Sequence, residues 1–352
     1  MQTIGYAAHH AEGGLAPWSF ERRDLRGDDV AIEILYCGVC HSDLHATRDD
    51  WKEWGATAYP CMPGHEIVGR VIALGSDATR HAVGDIVAVG TIIDSCGHCD
   101  QCNRGEQQMC REYPTTTYGA QDRIDGTITH GGYSKHIIVR EEFVLHVPTG
   151  LDPSRVGPLL CAGITVYSPL RTLNVGPGTR VGVIGIGGLG HLAVRLAAGL
   201  GAVVTVITRT REKADEAKSL GADNVLISTD EAAMTAAAST FDVIIDTIPV
   251  KHDVSPYVWL LDVEATLVIV GNLGAMEEFN TLPLLMGRRR ITGSPSGGIK
   301  QTQELLDFCA RMGIVPEIEM IEIDEINEAF MRMERGDVRY RFVIDMASLT
   351  LS

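Results

Sequence analysis

Val181-Gly182-Val183-Ile184-Gly185-Ile186-Gly187-Gly188-Leu189-Gly190 is an apolar run that opens directly into G-x-G-x-x-G, and a helical pattern from His191 to Leu200 follows without a break. Glycine is needed in such a strand–turn–helix unit where the backbone bends sharply and where a ligand or a neighbouring segment approaches closely. The N-terminus of the following helix presents unpaired N–H groups, which suit a pyrophosphate. Three glycines at this spacing are a weak signal alone. Flanked by the strand and the helix, Gly185, Gly187, Gly188, Leu189 and Gly190 read as a dinucleotide-binding turn.

Downstream, apolar runs keep alternating with amphipathic stretches: Val203 to Ile207, Val225 to Ile227, Val243 to Ile245, Leu267 to Val270 and Ile291 to Gly293. Six buried-looking strands with crossovers predict a doubly wound parallel sheet. Where a carboxylate would grip the ribose of NAD, about 20 residues past the turn, stands Thr208-Arg209-Thr210-Arg211-Glu212-Lys213. Hydroxyls and cations suit a 2′-phosphate, so the expected cofactor is NADP(H), with Arg209 its direct partner and Thr208, Thr210 and Lys213 assisting. Arg211 and Lys213 read equally well as a solvated first helical turn.

Upstream of residue 153 the texture is different. Alternation in Val30 to Leu35, Ile67 to Leu74, Gly84 to Val89 and Lys135 to Val139, punctuated by Gly and Pro, predicts a mostly β domain with long loops. A chain of 352 residues exceeds the size at which one core usually keeps growing, which also argues for two domains. After Gln301 a helix-like Glu304 to Met312, a run from Ile318 to Ile323, a helix from Asp324 to Arg335 and a strand near Tyr340 to Ile344 follow. They are expected to return to the first domain, because the six-stranded unit is already complete.

Thirty basic against 46 acidic residues give a formal charge of -16, which argues against nucleic acid and against an anionic membrane as partners. Met1 to Gly14 lacks a basic patch followed by an apolar core, so a cytoplasmic protein is expected. Nine cysteines, an odd number, fit thiolate ligands better than a disulfide framework.

Cys96, Cys99, Cys102 and Cys110 have the form C-x2-C-x2-C-x7-C. Four thiolates this close can surround one tetrahedral Zn²⁺ and leave no position open, so this zinc is expected to be structural. Similar spacing serves iron–sulfur clusters, but the Cys-Pro of the bacterial ferredoxin run is missing. A second set is scattered: Cys40, His65 followed by Glu66, and Cys161. Two Cys and one His from separate segments are a catalytic zinc's ligands, with the fourth position left for water or substrate. Taken singly, a buried Cys is more often a core thiol and a His next to Gly more often a turn or hydrogen-bonded core residue.

The combination resolves these readings. Gly38-Val39-Cys40-His41-Ser42-Asp43, Gly64-His65-Glu66, the four cysteines and Gly185 to Gly190 occur in the order and spacing of the zinc-containing medium-chain alcohol dehydrogenases. The chain resembles them along essentially its whole length, most of all the cinnamyl-alcohol-dehydrogenase-like branch, which includes bacterial broad-specificity NADPH-dependent aldehyde reductases. The resemblance implies an α/β fold in which a mostly β GroES-like catalytic zinc-binding domain, residues 1–153 plus 295–352, accompanies a Rossmann dinucleotide-binding domain, residues 154–294. It implies two zinc ions per chain and interconversion of alcohols and aldehydes by hydride transfer. Cys40, His65 and Cys161 would hold the catalytic zinc, and Glu66 would replace water on it during ligand exchange. Asp43 would orient the imidazole of His65, while Ser42 and His45 would pass the alcohol proton outward. His41 is expected at the cofactor, and Thr165, Gly271 and Ser294 near the nicotinamide. Trp51, Trp54 and Tyr113 or Tyr118 would wall the substrate. A homodimer through the last sheet strand, near Ile291, is the family habit. An NAD-dependent enzyme on the same scaffold and a nonenzymatic zinc- or dinucleotide-binding protein are the competing readings.

Overall fold

The structure is a computed structural model that describes residues 1–350; the last two residues of the expected 295–352 segment lie outside the described residues. The chain forms two compact units, Met1–Cys161 together with the segment from Gly298 onward, and Ala162–Gly297. Among the described residues no helix is long and apolar enough to cross a membrane.

In the second unit six strands lie in the order Asn224–Ile227, Val203–Thr208, Arg180–Ile184, Phe241–Asp246, Leu261–Ile269, Arg290–Gly293, every neighbouring pair parallel. Ile184, Ile207, Phe241, Ile244 and Leu267 are buried in one cluster, which is why these strands read as continuous apolar runs. The chain moves outward through two strands and then returns to pair Phe241–Asp246 with Arg180–Ile184. That reversal opens a crevice at the carboxyl ends of those two strands, the place where doubly wound sheets bind ligands. Leu261–Ile269 begins well before the expected Leu267, because the pairing slips between Phe241 and Val243 and Glu264 takes a left-handed φ of 61°. Such a bulge breaks the apolar pattern that marks a strand in sequence.

The first unit is built on Asp29–Gly38. Ile67–Leu74 pairs with one edge of this strand. The other edge is shared, by His136–Arg140 along Asp29 to Glu33 and by Arg341–Asp345 along Tyr36 to Gly38. The sheet continues through Ile86–Val89 to Leu145–His146 on one side and ends at Ile318–Ile321 on the other. The C-terminal segment thus contributes two strands to this sheet. Its long helix, Ile299–Met312, buries Thr302, Leu305, Leu306 and Cys309 on one face and starts ahead of the expected Glu304. The helix expected from Asp324 opens with a 3-10 turn, Ile323–Glu325, and runs on as Ile326–Glu334.

Candidate functional site

Asp29–Gly38 runs through Val39 into Cys40, and the helix His41–Thr47 begins at once. Asp43, fully buried, ties the surrounding segments together. Its Oδ2 accepts from the backbone N–H of Cys40 (2.9 Å) and from the Tyr133 hydroxyl (3.1 Å); its Oδ1 accepts from Gly64 N–H (3.0 Å) and lies 3.1 Å from His65 Nδ1. With Nδ1 held by a carboxylate, the imidazole is fixed in orientation and Nε2 is left to act as a ligand. Cys161 reaches the same spot from the end of the 3-10 turn Gly157–Leu160. The ligating atoms of Cys40, His65, Glu66 and Cys161 all lie within 4.8 Å of one another.

Two observations test whether this set fits a metal. The Cys40 and Cys161 sulfurs are 3.8 Å apart, and the edge of a tetrahedron with zinc–sulfur bonds of about 2.3 Å is about 3.8 Å. Glu66 is fully buried, yet its Oε2 has no hydrogen-bond partner among the described residues, while Oε1 is ion-paired with the buried Arg341. Burial pushes the Glu66 carboxyl up to about 8 even with Arg341 opposing. An unpartnered carboxylate oxygen beside two sulfurs is a costly arrangement unless a cation joins it. Space for that carboxylate depends on Gly38, where a Cβ would collide with Oε2.

Around this centre, the Ser42 hydroxyl lies 3.6 Å from the Cys40 sulfur. His41 and His45 follow one another on the helix with ring centroids 6.4 Å apart, and His45 Nδ1 is 2.8 Å from the Asp50 carboxylate. Trp51 stands beside His45 at 5.4 Å and stacks on Trp54 at 6.4 Å. Of the two tyrosines considered for the substrate wall, Tyr118 comes to the centre, its ring 5.7 Å from that of His65. Tyr113 is 83% exposed on the four-cysteine side, held through its carbonyl by Arg123, so it is removed from that wall. Arg341, Tyr133 and Asp50 carry no local motif and escaped sequence reasoning.

In the loop, the Cys96 and Cys102 sulfurs are 3.8 Å apart and those of Cys99 and Cys102 are 3.5 Å apart, with Cys110 in the same group. Left-handed φ values at Gly97 (72°) and Gly105 (81°) let the chain double back. Backbone N–H groups of Cys96, Cys99 and Cys102 point at the sulfurs of Cys110, Cys96 and Cys99. Backbone donors from Arg111 and Cys102 bring the Cys99 thiol down to about 6, which favours the ligating thiolate. The other three cysteines, Cys37, Cys61 and Cys309, are buried, and burial raises each thiol, to about 12 for Cys61 and Cys309.

In the second unit, Gly185 has a left-handed φ of 86° and a Cβ on Gly190 would collide with the Gly185 carbonyl, so turn and helix can close only with glycine at both positions. A Cβ on Gly187 would meet no protein atom, so the space beside it is open to a ligand. The helix Gly190–Gly199 starts there. Thr208 is buried at the end of its strand, while Arg209, Thr210 and Lys213 are exposed. Lys213 Nζ reaches back to the Ile186 carbonyl at 3.3 Å, which brings the basic segment against the glycine turn. Arg209 has no carboxylate partner among the described residues and lowers the Tyr257 hydroxyl, which burial raises. Gly271 packs so tightly on the Thr247 and Ile248 backbone that a Cβ would collide. Ser294 N–H donates to Ile269 O at 3.2 Å, and the Thr165 hydroxyl donates to Pro295 O at 3.3 Å, so Thr165 and Ser294 meet at the carboxyl edge of the sheet.

Comparison with known proteins gives this geometry a family. Residues 26–149 match the alcohol dehydrogenase GroES-like domain and residues 188–311 the zinc-binding dehydrogenase domain. The aldehyde reductase YahK of Escherichia coli is 48% identical, over 99% of this chain and 100% of its own. Among solved structures, a cinnamyl alcohol dehydrogenase of Sorghum bicolor superposes with a TM-score of 0.94 at 41% identity, over 100% of this chain and 99% of its own. A Helicobacter pylori cinnamyl alcohol dehydrogenase complexed with NADP(H) superposes with a TM-score of 0.89 at 36% identity, over 99% of both chains. With both domains matched and this level of identity along the whole chain, the protein belongs to the zinc-binding medium-chain alcohol dehydrogenase family, in its cinnamyl-alcohol-dehydrogenase-like branch.

Proposed function

We propose that the chain is a zinc-dependent, NADP(H)-using oxidoreductase that reduces a broad range of aldehydes and oxidises the corresponding primary alcohols. The observation that carries this reading is the convergence of Cys40, His65 and Cys161 beside the unpartnered oxygen of Glu66. Zinc bound there supplies Lewis acidity at the substrate oxygen, and the nicotinamide supplies or accepts the hydride. Cys40, His65 and Cys161 hold that ion, Asp43 fixes the ring of His65, and Glu66 is the carboxylate available for ligand exchange, with Arg341 holding its other oxygen. Ser42, beside the Cys40 sulfur, takes or gives the substrate's proton, and His45, oriented by Asp50, carries it toward solvent. Gly185 to Gly190 receive the pyrophosphate; Arg209, Thr208, Thr210 and Lys213 receive the 2′-phosphate; His41, Thr165, Gly271 and Ser294 complete the cofactor site. Residues 1–153 and 295–352, with Cys161 added from just beyond the first stretch, thus do the metal chemistry, and those of 154–294, with His41, bind the dinucleotide.

Activity across a panel of aromatic and aliphatic aldehydes with both cofactors, together with metal analysis, tests this. We expect reduction of several aldehydes with NADPH and two zinc ions per chain; no turnover, or fewer than two zinc ions, overturns it.

The second ion belongs to Cys96, Cys99, Cys102 and Cys110, remote from the chemistry in role. Cys102→Ser should lose one zinc and lower the calorimetric midpoint by roughly 10 °C, since a lost structural site removes several kcal/mol from a large domain. Activity at low temperature should stay within a few fold.

The chain is a homodimer in this reading. Arg290–Gly293 is an edge strand with mostly exposed residues, and Leu285 and Met286 just before it are 74% and 70% exposed. An open strand edge next to exposed apolar side chains favours pairing with a second copy. Sedimentation should give twice the chain mass, and Leu285→Glu with Met286→Glu should shift it toward the monomer.

A further inference from the structure

Away from both cysteine-based centres, the first unit brings together His81, Asp85 and His146, whose ligating atoms all lie within 4.8 Å of one another. We propose that these three residues form a third metal site, for a divalent first-row transition ion held by two imidazoles and one carboxylate.

His81 is only 7% exposed, and among the described residues its ring nitrogens make no well-formed hydrogen bond, the Val144 carbonyl offering only a weak one. A buried imidazole left this poorly satisfied needs a reason. Burial, and then the neighbouring His146, lower its pKa, so the ring is neutral at pH 7 and available as a ligand. The His146 ring faces it with centroids 4.3 Å apart and planes tilted by 40°.

The backbone carrying these groups is held in place. Asp85 Oδ2 accepts from Ala82 N–H at 2.8 Å, across the turn whose Gly84 has a φ of 100°. His146 pairs with Val87 across the strands, and Gln303 both accepts from its N–H (2.9 Å) and donates to its carbonyl (3.1 Å). Ordered backbone of this kind positions ligands before the ion arrives. Asp85 and His146 also line an open groove of about 360 Å³, which gives an ion a path in and leaves room for water at its remaining positions.

The donor set selects the ion class. Imidazole nitrogen with a single carboxylate suits zinc, nickel, cobalt or copper, whereas calcium and magnesium ask for oxygen-rich shells. With no thiolate and an open groove, the site holds its ion more weakly than the cysteine centres and exchanges it.

The test uses the full chain carrying only its two cysteine-held zinc ions, dialysed free of exchangeable metal and titrated calorimetrically with Ni²⁺. Wild type should bind one Ni²⁺ per chain. Asp85→Asn and His146→Gln, both at solvent-accessible positions, should each weaken that binding at least about tenfold, and the double variant should abolish it. Dehydrogenase activity and zinc content should be unchanged in all three, which separates loss of the site from loss of fold or of the catalytic centre. Absence of stoichiometric Ni²⁺ binding by wild type, or undiminished binding by the double variant through other surface histidines, overturns the proposal.

Discussion

Cys40→Ser protein should retain a cooperative melt and its dinucleotide affinity, yet lose about 10³- to 10⁴-fold in kcat/KM for aldehyde reduction and contain one zinc fewer per chain. A metal ion at the substrate oxygen provides several kcal/mol of charge stabilisation in the transition state, and each 1.36 kcal/mol is tenfold in rate. Serine cannot offer a thiolate, so about 4–5 kcal/mol is forfeited with the ion. The fold should tolerate the change for a local reason. Asp43 bonds the backbone of Cys40, not its side chain, and it keeps Gly64, His65 and Tyr133 in register whatever occupies position 40. A Cys40→Ser protein that kept activity within tenfold of wild type and still carried two zinc ions would remove the central claim about this site.

The same site shows which parts of a functional centre a linear sequence carries. The four-cysteine loop and the glycine turn are local: their ligands or N–H groups lie within a few residues of one another, so spacing alone encodes geometry. Cys40, His65 and Cys161 are separated by long stretches of chain, and nothing in their immediate neighbours tells a ligand from a core thiol. Only the joint order of several motifs marks them as candidate ligands. Arg341 could not be found in that way. Its partner Glu66 lies 275 residues earlier, and the contact exists because Arg341–Asp345 adds to the open edge of Asp29–Gly38. Tyr133 meets Asp43 across 90 residues because the loop ahead of His136–Arg140 is held beside Gly64, with Tyr133 N–H donating to the Pro63 carbonyl at 3.1 Å. Tyr113 and Tyr118 looked alike in sequence, and only the path of the chain after Cys110 sends one toward His65 and the other to solvent.

For the fold, strand cores were legible wherever both faces are buried, and boundaries failed where the pairing is irregular. Val30 to Leu35 alternates cleanly, but the strand continues to Gly38 because its far end has partners on both sides. Glu264, at the bulge, conceals the first half of its strand. Gly298 explains the early start of the helix Ile299–Met312. A Cβ there would collide with the Gly105 carbonyl, so the glycine serves a close approach of the four-cysteine loop, reinforced by the Ile299 N–H bond to Gln107 at 3.2 Å. Read in sequence, that glycine marks a loop rather than a packed helix start.

Arg209→Asp should lower kcat/KM with NADPH by about 10²- to 10³-fold and leave or raise that with NADH. A charge-assisted hydrogen bond from a guanidinium contributes about 1.5–3 kcal/mol, and a carboxylate in its place adds repulsion toward a phosphate that carries nearly two negative charges. Together these amount to about 3–4 kcal/mol, or two to three decades. The change should act on cofactor choice and not on chemistry, because Arg209 follows the buried Thr208 at the mouth of the sheet and, among the described residues, carries no carboxylate partner whose loss would disturb the fold. Lys213, tied to the Ile186 carbonyl, remains beside the glycine turn in the variant and limits the loss. The aldehyde KM at saturating cofactor and the zinc content should therefore match wild type, a pattern that a global structural defect does not produce. An unchanged NADPH-to-NADH preference in Arg209→Asp would show that the segment from Thr208 to Lys213 does not receive a 2′-phosphate, and would return the choice between the two nicotinamide cofactors to other residues of the sheet edge.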